Sequence, residues 1–251
     1  MWTVTELKSE AYPHQQEIWR AVEDQHVSST LKLVDSIAEH EVLESLLEQH
    51  KPQYPVGTEQ LHYLLKTPFR YYPAKPHGSR FRRAHDPQGV FYGSVGIRTV
   101  LAEFAYYRLR FFAAALDAKL PTQDQRLTVF SVEYQVQHEI DLTAEPFNKN
   151  EEQWAHPTSY DATQALATVA RLAGIEAIRY LSVRDKMCGK NIALLHPFHF
   201  KTQDVKVKQS WYMLMKPQEV YIARSGSSKQ VYNFHADEFQ LEEPTSQELA
   251  V

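Results

Sequence analysis

The chain has 251 residues, a net charge of −4 at neutral pH and a single cysteine, Cys188. With 43% hydrophobic and 23% charged residues it is long enough and apolar enough for one large or two small domains with a real core. One cysteine excludes an intramolecular disulfide, and the mild acidity gives no basis for bulk nucleic-acid binding.

In chain order, MWTVTELKSE has neither the basic start nor the apolar core of a signal peptide. No run nears the roughly 20 apolar residues that span a bilayer, so a cytoplasmic protein without membrane contact is expected. Residues 1–65 read as helical. Ile18, Trp19 and Val22 form a short stripe, and Leu31, Val34, Ile37, Ala38, Val42, Leu43, Leu46 and Leu47 recur at helical spacing after a cap at Ser28 or Ser29. Pro52 and Pro55-Val-Gly57 mark the exit from this layer, and Pro68 favours an extended Phe69-Arg70-Tyr71-Tyr72. Val90-Phe91-Tyr92 reads as a short buried strand, and a helix follows from Gly96 to about Lys119. Period-two patterning then predicts a strand over Leu127–Gln137, closed by Ile140–Thr143. A helix over Ala162–Ala173, ended by Gly174, precedes strands at Ala177–Leu181, Asn191–Leu195, Trp211–Met215 and Glu219–Ile222. The tail from Glu242 is polar. No GxGxxG follows a strand, so the pattern favours an α+β fold of small, largely antiparallel sheets over a Rossmann fold.

Chemistry concentrates between Thr67 and Phe112. Arg70, Arg80, Arg82, Arg83 and Arg98 lie in or beside a proline- and glycine-broken segment, and loop guanidiniums suit an anionic ligand. In an extended segment Arg80 and Arg82 share one face, an arrangement suited to phosphate as well as to a solvated charge run. Glu103 points from its helix where Val100, Phe104 and Tyr107 point, and a carboxylate there needs a partner or a task. Tyr92 ends a strand and can be simple core packing; Ser182 follows a strand and can be a turn serine. The histidines lack metal-ligand spacing, Cys188 has no adjacent base, and no GxSxG occurs.

Several runs resemble the RES-domain family: Thr67-Pro-Phe-Arg70-Tyr71, Gly78-Ser-Arg80-Phe, Val90-Phe-Tyr92-Gly-Ser and Thr99-Val-Leu-Ala-Glu103. A later half contains Gly174-Ile, Tyr180-Leu-Ser182-Val-Arg184 and Asn191-Ile-Ala-Leu-Leu. The likeness covers about residues 60–200. It implies a core similar to ADP-ribosyltransferases, and a toxin of a toxin–antitoxin pair that consumes NAD by phosphorolysis or hydrolysis. The implied partners are NAD, inorganic phosphate and an Xre-type antitoxin, with nucleic acid reached only through the antitoxin. NAD would be substrate, with no further cofactor and no metal. By position, Glu103, Arg70, Ser182 and Tyr92 would be catalytic, and Arg70, Tyr71, Arg80, Arg82, Tyr92 and Ser182 would hold the ligand. The implied organisation is a helical extension over 1–60 packed on a catalytic domain over 61–240, then a tail over 241–251. The competing expectations are an ADP-ribosyltransferase that modifies a protein, and a non-catalytic nucleotide-binding module acting through the first 65 residues.

Overall fold

The computed structural model describes residues 2–24, 30, 33–71, 78–114, 119–226 and 230–239. Its helices are α1 (Val4–Glu10), α2 (Ile37–His50), α3 (Tyr63–Lys66), α4 (Ile97–Ala114), α5 (Glu151–Trp154) and α6 (Asp161–Leu172). Its strands are β1 (Tyr12–Glu23), β2 (Phe91–Ser94), β3 (Gln125–Asp141), β4 (Ala177–Leu181), β5 (Lys190–Leu194), β6 (Val207–Lys216), β7 (Glu219–Arg224) and β8 (Val231–His235). The fold is α+β.

The long alternating stretch 125–141 becomes the central strand, β3. One edge of β3 pairs with β1, from Tyr12↔Glu139 to Glu23↔Leu127. The other edge takes β6 along Gln125–Ser131 and, in the only parallel pairing among the described residues, β4 along Glu139–Asp141. β4 pairs with β5, β5 with β2, and β2 returns to β1 at Trp19↔Ser94. These pairings close β1, β2, β5, β4 and β3 into a ring, and β6-β7-β8 extend the sheet from β3. One eight-stranded sheet therefore replaces the several small sheets expected.

Closure explains the main departure from the sequence reading. Residues 12–23 form a strand, because β1 supplies the edge that both β2 and β3 need; Ile18 is fully buried on it. The second N-terminal helix starts at Ile37 with a Ser36 cap, and none of its residues is buried. The Ser28 and Ser29 caps, Leu31, Tyr72 and the 242–251 tail fall outside the described residues. Pro68 does not force an extended run. It occupies the first turn of a short 3-10 helix over Thr67–Phe69, where its missing N–H is harmless, and Arg70 stays in the right-handed helical region. α4 is described as far as Ala114, residues 115–118 lying outside the described residues, and β8 lacked a sequence signal.

Three apolar clusters hold the layers. α4 packs Val100, Leu101, Ala105 and Leu109 onto Leu127, Val129, Trp211 and Met213. α6 packs Leu166, Ala167 and Ala170 with Ile178 and Tyr180. Ile18, Phe91, Phe130, Tyr134, Ile192 and Leu194 join β1, β2, β3 and β5. Where β1, β3 and β4 meet, Arg179 Nε donates to Glu139 Oε1 at 2.8 Å, and Tyr134 donates its hydroxyl to Glu139 Oε2. Arg179 Nη2 reaches Gln16 Oε1 at 2.7 Å. Among the described residues no helix is long and apolar enough to cross a membrane.

Candidate active site

A cavity of about 390 Å³ opens between β1, β2, α4 and the segments flanking α6 and β4. That is within the usual range for a small-ligand pocket. Its chemistry is one carboxylate, Glu103, among guanidiniums and phenols: Arg20, Arg80, Arg110 and Arg184, with Tyr92, Tyr107, Tyr160 and Tyr180.

Glu103 stands on α4 one turn after Thr99. Its Oε1 accepts hydrogen bonds from Ser182 Oγ and Asn191 Nδ2, each at 2.7 Å. Asn191 is held in turn by Ser94, whose hydroxyl donates to Asn191 Oδ1 at 2.6 Å. Ser182 does not line the cavity; it reaches Glu103 from below. Its oxygen accepts the backbone N–H groups of Arg184 (3.3 Å) and Asp185 (3.2 Å), which folds the chain after β4 beneath the first turn of α4. Asp185 completes this by accepting from Thr99 Oγ1 at 2.9 Å and Arg98 Nε at 3.1 Å. The approach is so close that a Cβ at Gly189 would lie 2.0 Å from Thr99 Oγ1.

The expected arginines separate. Arg80 lines the cavity. Its Nη1 donates to the Trp154 carbonyl (2.7 Å) and its Nη2 to the His156 carbonyl (3.0 Å), with the Tyr160 ring 4.8 Å away. Arg82 does not follow it. Ser79 and Arg82 exchange backbone hydrogen bonds of 2.7 and 3.1 Å, so the segment is a tight turn rather than extended, and the two side chains diverge. Gly78, at φ +68°, permits this turn; a Cβ there would meet the Arg82 carbonyl oxygen at 2.2 Å. Arg82 instead donates to the carbonyls of Tyr71 and Asp86.

Arg70 and Tyr71 are also outside the cavity lining. Arg70 is 7% exposed, but its partners are Glu48 at the end of α2 (2.6 Å), the Pro52 carbonyl and the Tyr54 ring. It ties α2 to the rest of the chain. Tyr71 is 40% exposed. The cation that does reach the cavity from an unexpected direction is Arg20 on β1. Its Nη1 donates to the Tyr92 carbonyl at 2.6 Å and its guanidinium lies over Phe91, while its buried Nε has no hydrogen-bond partner among the described residues. Burial pulls its pKa down to about 10, so it remains a cation at neutral pH. Arg20 is thus a half-buried cation in the cavity wall, a place where its charge suits an anionic ligand. Periodicity hides it, because the spacing of Ile18, Trp19 and Val22 suits a helical stripe as well as a strand.

Tyr92 lines the cavity and anchors the turn beside it. Its hydroxyl accepts from the Phe81 N–H (3.0 Å) and shares a hydrogen bond with Ser79 Oγ (2.9 Å). Burial pushes its phenol up. Burial, followed by the charge of Glu103, pushes Tyr180 well above the usual range, so both rings stay neutral. Arg184 lies 3.6 Å from the Tyr106 ring centroid and donates to the Pro157 carbonyl. Thus Arg80 and Arg184 together fasten the 154–160 segment to the cavity. Among the described residues no group of three or more His, Cys, Asp or Glu could hold a metal ion.

The RES domain family matches residues 53–216, and the chain belongs to that family. No curated protein matches the sequence. Among solved structures, a chain of the crystal structure of the M. tuberculosis MbcT-MbcA toxin-antitoxin complex is similar, at 8% identity and a TM-score of 0.49. The match covers 85% of this chain and 92% of that one.

Proposed function

We propose that the cavity binds NAD and that the protein cleaves its nicotinamide–ribose bond, acting as the toxin of a toxin–antitoxin pair. The observation that carries the reading is Glu103: one carboxylate, fixed by two neutral donors, in the wall of a cavity whose other ionisable groups are guanidiniums and phenols. Breaking the glycosidic bond sends the bonding pair to nicotinamide and leaves an oxocarbenium-like charge on the ribose. A preorganised carboxylate stabilises that charge, directly or through a ribose hydroxyl. Arg20 and Arg80 would meet the pyrophosphate, and the phenols would flank the nicotinamide and ribose. Inorganic phosphate or water then adds through oxygen to the ribose carbon and releases a proton. An ADP-ribosyltransferase-like core and neutralisation by an Xre-type antitoxin belong to the same proposal, and RES membership supports them.

The test is to incubate the protein with NAD, with and without inorganic phosphate, and identify products by mass spectrometry. Phosphorylated ADP-ribose marks phosphorolysis, ADP-ribose marks hydrolysis, and label from biotinylated NAD on a protein band marks transfer. Unchanged NAD under all conditions rejects the reading.

The arginines make a sharper prediction. Arg20→Ala is expected to lower kcat/KM for NAD by roughly 10- to 100-fold, the scale of a hydrogen bond to a charged group. Arg70→Ala is expected to leave kcat/KM near wild type and lower stability by about 1–3 kcal/mol, because Arg70 serves the α2 junction. Steady-state kinetics beside urea unfolding separates the two, and equal kinetic losses would return Arg70 to the site.

A further inference from the structure

We infer that Asn191 is a positioning residue for the acid: oriented by Ser94, its side-chain amide pins Oε1 of Glu103 and leaves Oε2 as the oxygen that meets the ligand. The functional meaning rests on the NAD-cleaving reading of the cavity.

The hydrogen-bond directions are dictated by chemistry. An ionised carboxylate only accepts, so the group of Asn191 that faces Glu103 at 2.7 Å must be the amide NH₂. Its carbonyl oxygen then faces Ser94, whose hydroxyl must donate, at 2.6 Å. Asn191 and Ser94 are each 2% exposed, so water does not compete for these bonds. They are also direct cross-strand partners in β5 and β2, so the amide is set by the sheet rather than by a mobile loop.

Ser182 donates to the same Oε1, and Oε2 accepts nothing from the described residues. Both donors to Oε1 are neutral. They fix the carboxylate without the opposite charge that an arginine partner would bring, so its negative charge stays directed at the cavity. The titratable and charged groups that line the cavity with it are Tyr180 from β4, Tyr107 and Arg110 from α4, Tyr92 from β2, Arg20 from β1, and Tyr160, Arg184 and Arg80. None of these is hydrogen-bonded to Glu103.

Asn191→Asp tests this with little change of shape. The introduced side chain can still accept from Ser94, but it puts a carboxyl where the donor to Oε1 stood. Two carboxyl groups so close cannot both ionise freely, so the pair holds a proton to higher pH. The acid limb of the kcat/KM profile for NAD is expected to move up by at least about one pH unit. In the ligand-free protein, the infrared carboxylate band assigned to Glu103 by difference from E103Q is expected to give way to a protonated band at higher pH than in the parent. Asn191→Ala, which removes the donor without adding a carboxyl, covers the case in which Asn191→Asp does not fold. Its Glu103 band should shift in frequency, and kcat should fall about 10- to 100-fold with KM little changed. A Glu103 band that titrates as in the parent in Asn191→Asp, or does not shift in Asn191→Ala, overturns the proposal. A shifted band in a protein that never turns over NAD leaves the pinning intact and rejects the NAD reading instead.

Discussion

Glu103→Gln is expected to lower NAD cleavage about 100- to 1000-fold, the usual cost of removing a preorganised electrostatic stabiliser. The substitution keeps the side chain's shape and the oxygen that Ser182 and Asn191 hold, so circular dichroism and the unfolding midpoint should stay near wild type. The loss should fall on kcat with little change in KM, because the carboxylate acts on charge that develops after binding. Purified Glu103→Gln that consumes NAD at the parent rate would remove the acid from the mechanism.

The largest effect on stability is expected from Arg179→Met. Glu139 is fully buried, and it accepts from the Arg179 guanidinium, the Tyr134 hydroxyl and, at 3.5 Å, the Tyr12 hydroxyl. Burial alone would make the Arg179 guanidinium less basic, but Glu139, Tyr134 and Asp141 together raise its pKa. Removing one member of a buried ion pair typically costs about 3–5 kcal/mol, because the other charge is stranded. Arg179→Met should lose that amount in a denaturant titration, and Arg179→Met combined with Glu139→Gln should recover much of it. If the single variant is as stable as the parent, the pair does not hold β1, β3 and β4 together.

How far the sequence could be read depended on whether the decisive contacts were local. The side of α4 that carries Glu103 was legible from helical spacing: Val100, Glu103, Phe104 and Tyr107 all line the cavity. Strands β3, β4, β5, β6 and β7 were legible from alternation and short apolar runs. β1 was not, because its main pairing, with β3, lies more than a hundred residues away and its half-buried face mixes Gln16, Ile18 and Arg20. Arg20 was lost with it. Arg70 misled for the opposite reason: its neighbours resemble a family motif, while its real partners, Glu48 and Tyr54, precede it by more than a dozen residues. Arg82 misled because a strand rule was applied to a turn that Gly78 closes.

The family match begins at residue 53, yet the ring of five strands needs residues 12–23. A version lacking residues 1–52 would have no Arg20 and would bare two backbone edges, those of β2 and β3, to any extended chain that fits. Such a trimmed protein should be inert and prone to self-association, and a separate peptide spanning 12–23 should restore it by strand donation. Neither β1 nor the rest of the sheet closes the ring without the other.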